Sequence, residues 1–116
     1  MYERTPDYLN KMIELCQDIA LFIEGIPHDE FMSDKRTQNA VAMSLIALGE
    51  IANTIYQKDP EFIENNAQIP WKYIRGMRNI IAHGYFDLDF NIIYQTAERS
   101  IPELLTQLKD ITKQQE

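Results

Sequence analysis

The sequence predicts an all-α protein, an up-and-down antiparallel helical bundle of four to five helices, and three observations lead there. Apolar residues recur at three- and four-residue steps over most of the 116 residues, the period of amphipathic helices. No run carries the alternation of period two that a half-buried strand would show. Proline, glycine and helix-capping residues break the periodic stretches into segments joined by short connections. An apolar fraction of 45%, with four Gly and five Pro, is globular composition, and the length fits one domain over residues 1–116.

The first helix is expected from about Pro6 to Glu24, with Leu9, Met12, Cys16 and Ile19 on its apolar face. Thr5 is placed as its N-cap ahead of Pro6, and Gly25 as its stop. The turn Gly25-Ile26-Pro27-His28-Asp29 follows, in which His28 reads as a solvated loop residue. Ser33 or Asp34 caps a second helix that runs to about Gln57, before Asp59-Pro60 ends it. From Ala40 to Ile51 this helix is apolar nearly all round, with small residues interleaved, which puts it at the centre of the bundle. Glu50 is its odd residue and admits two readings: a polar group reaching solvent at the end of the core, or a carboxylate paired with an arginine of the third helix.

Residues 61–68 hold at most a helical turn within a connection. Pro70 suits the first turn of a third helix from Trp71 to about His83, which Gly84 terminates. A fourth helix begins near Phe90, where Pro102 is placed to kink or split it and Ser100 to cap the final piece.

Charge singles out the third helix. From Asn65 to Phe86 there is no Asp or Glu, while Lys72, Arg75 and Arg78 add three positive charges to a chain whose net charge is −7. Without those three the rest carries −10, so the local sign opposes the global one. An acidic chain is a poor non-specific binder of duplex DNA, and any nucleic-acid contact must be local. Cys16 is alone and reads as a small core hydrophobe, and no Cys/His spacing resembles a metal site. There is no long apolar run and no basic-then-apolar leader, so neither a membrane span nor secretion is expected, and a cytoplasmic location follows.

At about 100° per residue, Tyr73, Ile74, Met77, Ile80 and Ile81 fall together as the expected buried face, and Lys72, Arg75, Arg78, Asn79 and His83 fall opposite. A histidine that exchanges protons near neutrality, beside arginines that bind phosphate, could hold a phosphodiester and move a proton on it. The same face could equally serve to pair with carboxylates elsewhere in a bundle or dimer.

The segment Arg78-Asn79-Ile80-Ile81-Ala82-His83-Gly84-Tyr85 resembles the arginine, four residues, histidine, one residue, tyrosine motif of HepT-like proteins in the HEPN superfamily. The resemblance extends to Phe31-Met32-Ser33-Asp34, Leu48-Gly49-Glu50, Ile69-Pro70-Trp71 and Ile101-Pro102-Glu103-Leu104, spread over most of the chain. It implies a homodimer whose two motif helices line a shared cleft, and a metal-independent endoribonuclease that acts as the toxin of a two-gene toxin–antitoxin module. Carried over by residue, His83 is the general acid/base, Arg78 stabilises charge on the phosphate, and Asn79 supports the site. Lys72 and Arg75 lie outside the motif and are assigned to phosphate steering or dimer contact. The resemblance also implies an antitoxin partner, a minimal nucleotidyltransferase of the MNT type that transfers AMP from ATP onto Tyr85. No cofactor is expected. The alternative is a non-catalytic HEPN dimer that binds a nucleotide or a nucleotidyltransferase partner.

Overall fold

The computed structural model describes residues 1–114, with the side chain of Tyr85 excepted. Its helices are α1 (Thr5–Ile23), α2 (His28–Phe31), α3 (Lys35–Lys58), α4 (Pro60–Asn65), α5 (Trp71–His83), α6 (Phe90–Gln95) and α7 (Ile101–Gln114). A 3-10 turn, Tyr85–Asp87, follows α5, and a π turn, Thr96–Ser100, joins α6 to α7. There is no strand among the described residues, and the all-α bundle is as expected.

The long helix α3 is central, packed against α1 on one side and α5 on the other. Val41, Leu45, Leu48, Ala52 and Ile55 form one stripe at or near zero exposure, flanked by buried Ala42 and Gly49 on one side and Ser44 on the other, while Met43 on the far side is 66% exposed, so the apolar middle is covered over a broad arc but not all round. Named bonds fix the directions. Thr5 at the start of α1 meets Asp59 just beyond α3, whereas Arg75 and Arg78 of α5 meet Asn53 and Glu50 of α3 in reverse order. Tyr94, early in the last helical stretch, donates to the Ile26 carbonyl just beyond α1 at 2.8 Å. Each neighbouring pair is therefore antiparallel.

Several local expectations hold. Asp34 caps α3 by accepting from the Thr37 amide at 3.1 Å, Gly25 follows α1 with φ of +73°, and Gly84 is the C-cap of α5. Cys16 is fully buried, and burial pushes its thiol up to about 12, which makes it an inert core residue.

Others are corrected. Thr5 is not the cap of α1 but its first residue, and its hydroxyl donates instead to Asp59 Oδ2 at 2.8 Å. The buried Asp59 carboxylate also accepts from the Tyr2 amide at 2.9 Å and caps α4 through the Phe62 amide at 3.2 Å. A tertiary partner thus outcompetes the local cap. His28 begins α2 and is not a free loop residue: its ring bonds the Asn91 side chain and stands edge-on to Tyr94 at 5.4 Å. Four residues are too few to show a helical period, so α2 was invisible in the pattern.

Ser100 caps nothing, because the chain stays helical from Phe90 to Gln114. The π turn comes immediately before α7, whose second residue is Pro102. Proline lacks the N–H that would bond back four residues, and its ring would strike that carbonyl; the wider turn takes up the misfit without a break. On α5 the buried residues are Trp71, Ile74, Met77 and Ile81, whereas Tyr73 and Ile80 are 52% and 68% exposed. The expected apolar face is wider than the face α3 covers, and its flank is left open.

Candidate active site

The site is built on the α3–α5 contact. Gly49 of α3 allows it: a Cβ there would lie 2.8 Å from the Ile74 carbonyl oxygen and 2.9 Å from Arg78 Cβ, so only glycine lets the two helices approach this closely. One residue further, Glu50 Oε1 accepts from Arg78 Nη1 at 2.8 Å. The second reading of Glu50 is therefore the one realised, a carboxylate holding an arginine of the motif helix. The Arg78 side chain is 26% exposed and that of Glu50 59%, so the pair is a partly wet contact worth under about 1 kcal/mol. Its effect is geometric. Arg78 Nε is buried with no hydrogen-bond partner among the described residues, so the stem is held by packing.

The contact continues in three-residue steps. Asn53 Oδ1 accepts from Arg75 Nε at 3.4 Å, and the Arg75 guanidinium carbon sits 3.6 Å from the centroid of the Tyr56 ring. Thus Glu50, Asn53 and Tyr56 on α3 face Arg78 and Arg75 on α5 in antiparallel order. The sequence reading assigned nothing to Asn53 or Tyr56. The signal was their spacing, which matches in reverse the spacing of Arg78, Arg75 and Lys72.

An open groove of about 1180 Å³ runs beside this edge between α5, the end of α3 and α4. Lys72, Arg75, Arg78 and Asn79 all line it. His83 does not. It is exposed in the last turn of α5, about 7.5 Å further along the axis than Arg78 and about 140° around it. Among the described residues its side chain makes no hydrogen bond or ion pair. The groove therefore brings four of the expected residues together, and the histidine stands beyond its end in the last turn of α5. Tyr85 lies in the 3-10 turn after Gly84, and its side chain lies outside the described residues. Among the described residues no group of three or more His, Cys, Asp or Glu is placed to hold a metal ion, and no helix is long and apolar enough to cross a membrane.

The helical bundle thus carries a groove lined by Lys72, Arg75 and Arg78 beside an Arg-x4-His helix. The family description "Ribonuclease HepT-like" matches residues 12–111, and the chain belongs to that family. A protein of Caldanaerobacter subterraneus subsp. tengcongensis named "Putative RNase" is 33% identical over 113 residues, covering 97% of this chain and 98% of its own. One from Thermococcus cleftensis named "Probable ribonuclease HepT" is 31% identical over 113 residues, covering 97% and 100%. No solved structure matches the chain.

Proposed function

We propose that this protein is a metal-independent endoribonuclease and the toxin of a two-gene module, working as a homodimer. The observation that carries the reading is Arg78, fixed by Glu50 at the rim of the cationic groove on the helix that also bears His83. His83 takes the proton of an RNA 2′-hydroxyl as that oxygen attacks the adjacent phosphorus. Arg78, with Asn79 beside it, stabilises the charge that builds on the phosphate oxygens. The P–O5′ bond breaks and the imidazolium returns the proton to the leaving oxygen, giving a 2′,3′-cyclic phosphate and a 5′-hydroxyl.

The dimer supplies what one chain lacks. Arg78 and His83 point about 140° apart within one α5, and two such helices packed across a cleft would set the histidine of one copy against the arginine of the other. Tyr73 and Ile80, exposed on the open flank of α5, line the same groove as Arg75 and Arg78, so a second copy seated on that flank would form the far wall of the groove and make it the shared cleft. The nucleotidyltransferase partner belongs to this reading too: AMP on Tyr85 would place a bulky anion two residues from His83 and compete for Arg78.

The test incubates purified protein with RNA in EDTA, beside His83→Ala and Arg78→Ala variants. Wild type is expected to cut and leave cyclic phosphate ends, and both variants to lose activity by at least about a hundredfold. Undiminished cleavage by His83→Ala would sink the catalytic assignment. Light scattering should give a dimer, and a stable monomer would remove the shared cleft. After co-expression with a minimal nucleotidyltransferase of the MNT type, mass spectrometry should find AMP on Tyr85 and on no other residue. The exposed position of His83 away from the groove favours a second reading, a binding module without catalysis; it predicts RNA or nucleotide binding with no cleavage under any of these conditions.

A further inference from the structure

We propose that Arg75, held over the Tyr56 ring, is a stacking shelf for one unpaired RNA base beside the cleavage site; this rests on the ribonuclease reading. A guanidinium that only steers phosphate at the end of a flexible side chain needs no aromatic ring beneath it. Arg75 is fixed twice, by the Tyr56 face at 3.6 Å and by Asn53 on its Nε. What it has left to offer the groove is its other face and its terminal N–H groups. Planar arginines of this kind stack on bases as readily as aromatic rings do.

The surroundings fit a nucleotide better than a bare anion. The groove walls include the apolar Ile63, Ala67 and Pro70, which tolerate a base but give nothing to a phosphate. Glu64 of α4 also lines it, so the charge is positive towards α5 and negative opposite. Phosphates would therefore follow Lys72 and Arg78 while a base turns inward over Arg75. Among the described residues no carboxylate pairs with Arg75 or Lys72. At about 1180 Å³ and open along its length, the groove suits a strand segment better than an enclosed small ligand. In a duplex both faces of a base are already stacked, so the shelf selects single-stranded RNA. Arg75 thereby becomes a specificity-determining residue with a role distinct from phosphate steering.

Binding is measured by fluorescence anisotropy on the full chain, using a short RNA single strand with 2′-O-methyl sugars, which cannot be cut because the attacking hydroxyl is blocked. Arg75→Lys, which keeps the charge and loses the plane, is expected to weaken binding roughly tenfold, about what one stacked base contributes. Tyr56→Leu should do the same and Tyr56→Phe should not. A series of strands each lacking one base should contain one that wild type binds roughly tenfold less well, with no further loss in Arg75→Lys. Wild-type affinity in Arg75→Lys, no sensitive base position, or no binding of the strand would each overturn the shelf. A Tyr56→Leu variant that changes oligomeric state while keeping its affinity would give the groove to a second copy instead. Cleavage of unblocked RNA is scored separately: a chain that binds through the shelf but cuts nothing keeps the shelf and loses the ribonuclease reading.

Discussion

Arg78 leaves α5 on the side of α3, passes Gly49, and ends on Glu50. An arginine without that carboxylate would keep its charge but sample several rotamers, and a catalytic cation is effective only where it is already aimed. Glu50→Ala should therefore lower the cleavage rate about tenfold while leaving KM nearly unchanged. Because Glu50 is largely exposed, the melting temperature should move little. Glu50→Gln keeps an acceptor oxygen and should recover part of the rate. Steady-state kinetics with parallel thermal melts check this, and a variant with wild-type rate would show that Arg78 needs no orienting partner.

At the scale of the element, α5 depends on how closely α3 lets it approach. Gly49→Ala would gain about 1 kcal/mol of helix propensity if the site were open. Here the added carbon would strike the Ile74 carbonyl and Arg78 Cβ, and separating two packed helices costs about 1–3 kcal/mol. The expected outcome is net destabilisation in urea together with loss of cleavage, since moving α5 also moves Arg78. A neutral or stabilised Gly49→Ala would mean that the helices shift at no cost. Much of this element was readable in advance: the limits of α5, its termination at Gly84 and its cationic face all lie in local pattern. The exposure of Tyr73 and Ile80 was not readable, because a helical projection gives the apolar arc but not how much of it a neighbour covers.

For the whole molecule, Asp59 ties the N-terminal segment, the end of α3 and the start of α4 into one corner. Burial alone would raise its pKa, but the bonds from Thr5, Tyr2 and Phe62 outweigh that and hold it below the usual carboxylate range. A carboxylate with a lowered folded-state pKa contributes stability that is complete above its unfolded value of about 3.9 and is lost as pH falls through the folded value. Asp59→Asn should thus cost about 1–3 kcal/mol near neutral pH, with the difference from wild type shrinking as the pH drops below about 4. Melting temperatures of both proteins across that range measure it, and a gap that stays constant in acid would assign the effect to packing.

The sequence by itself determined the helical class, the central place of α3, the start and stop of α5, and which residue types stand on its polar face. Each of these depends on side-chain period or on a capping residue within a few positions, and such information is local. Only the tertiary structure decided that Thr5 serves Asp59 instead of its own helix, that His28 packs on Asn91 and Tyr94, and that Pro102 is absorbed by a π turn. It also separated His83 from the groove and set Arg75 on Tyr56. The places of Thr5, His28 and Arg75 are settled by partners about 20 to 60 residues away in the chain, and a periodic pattern shows which way a side chain faces without naming what it will meet.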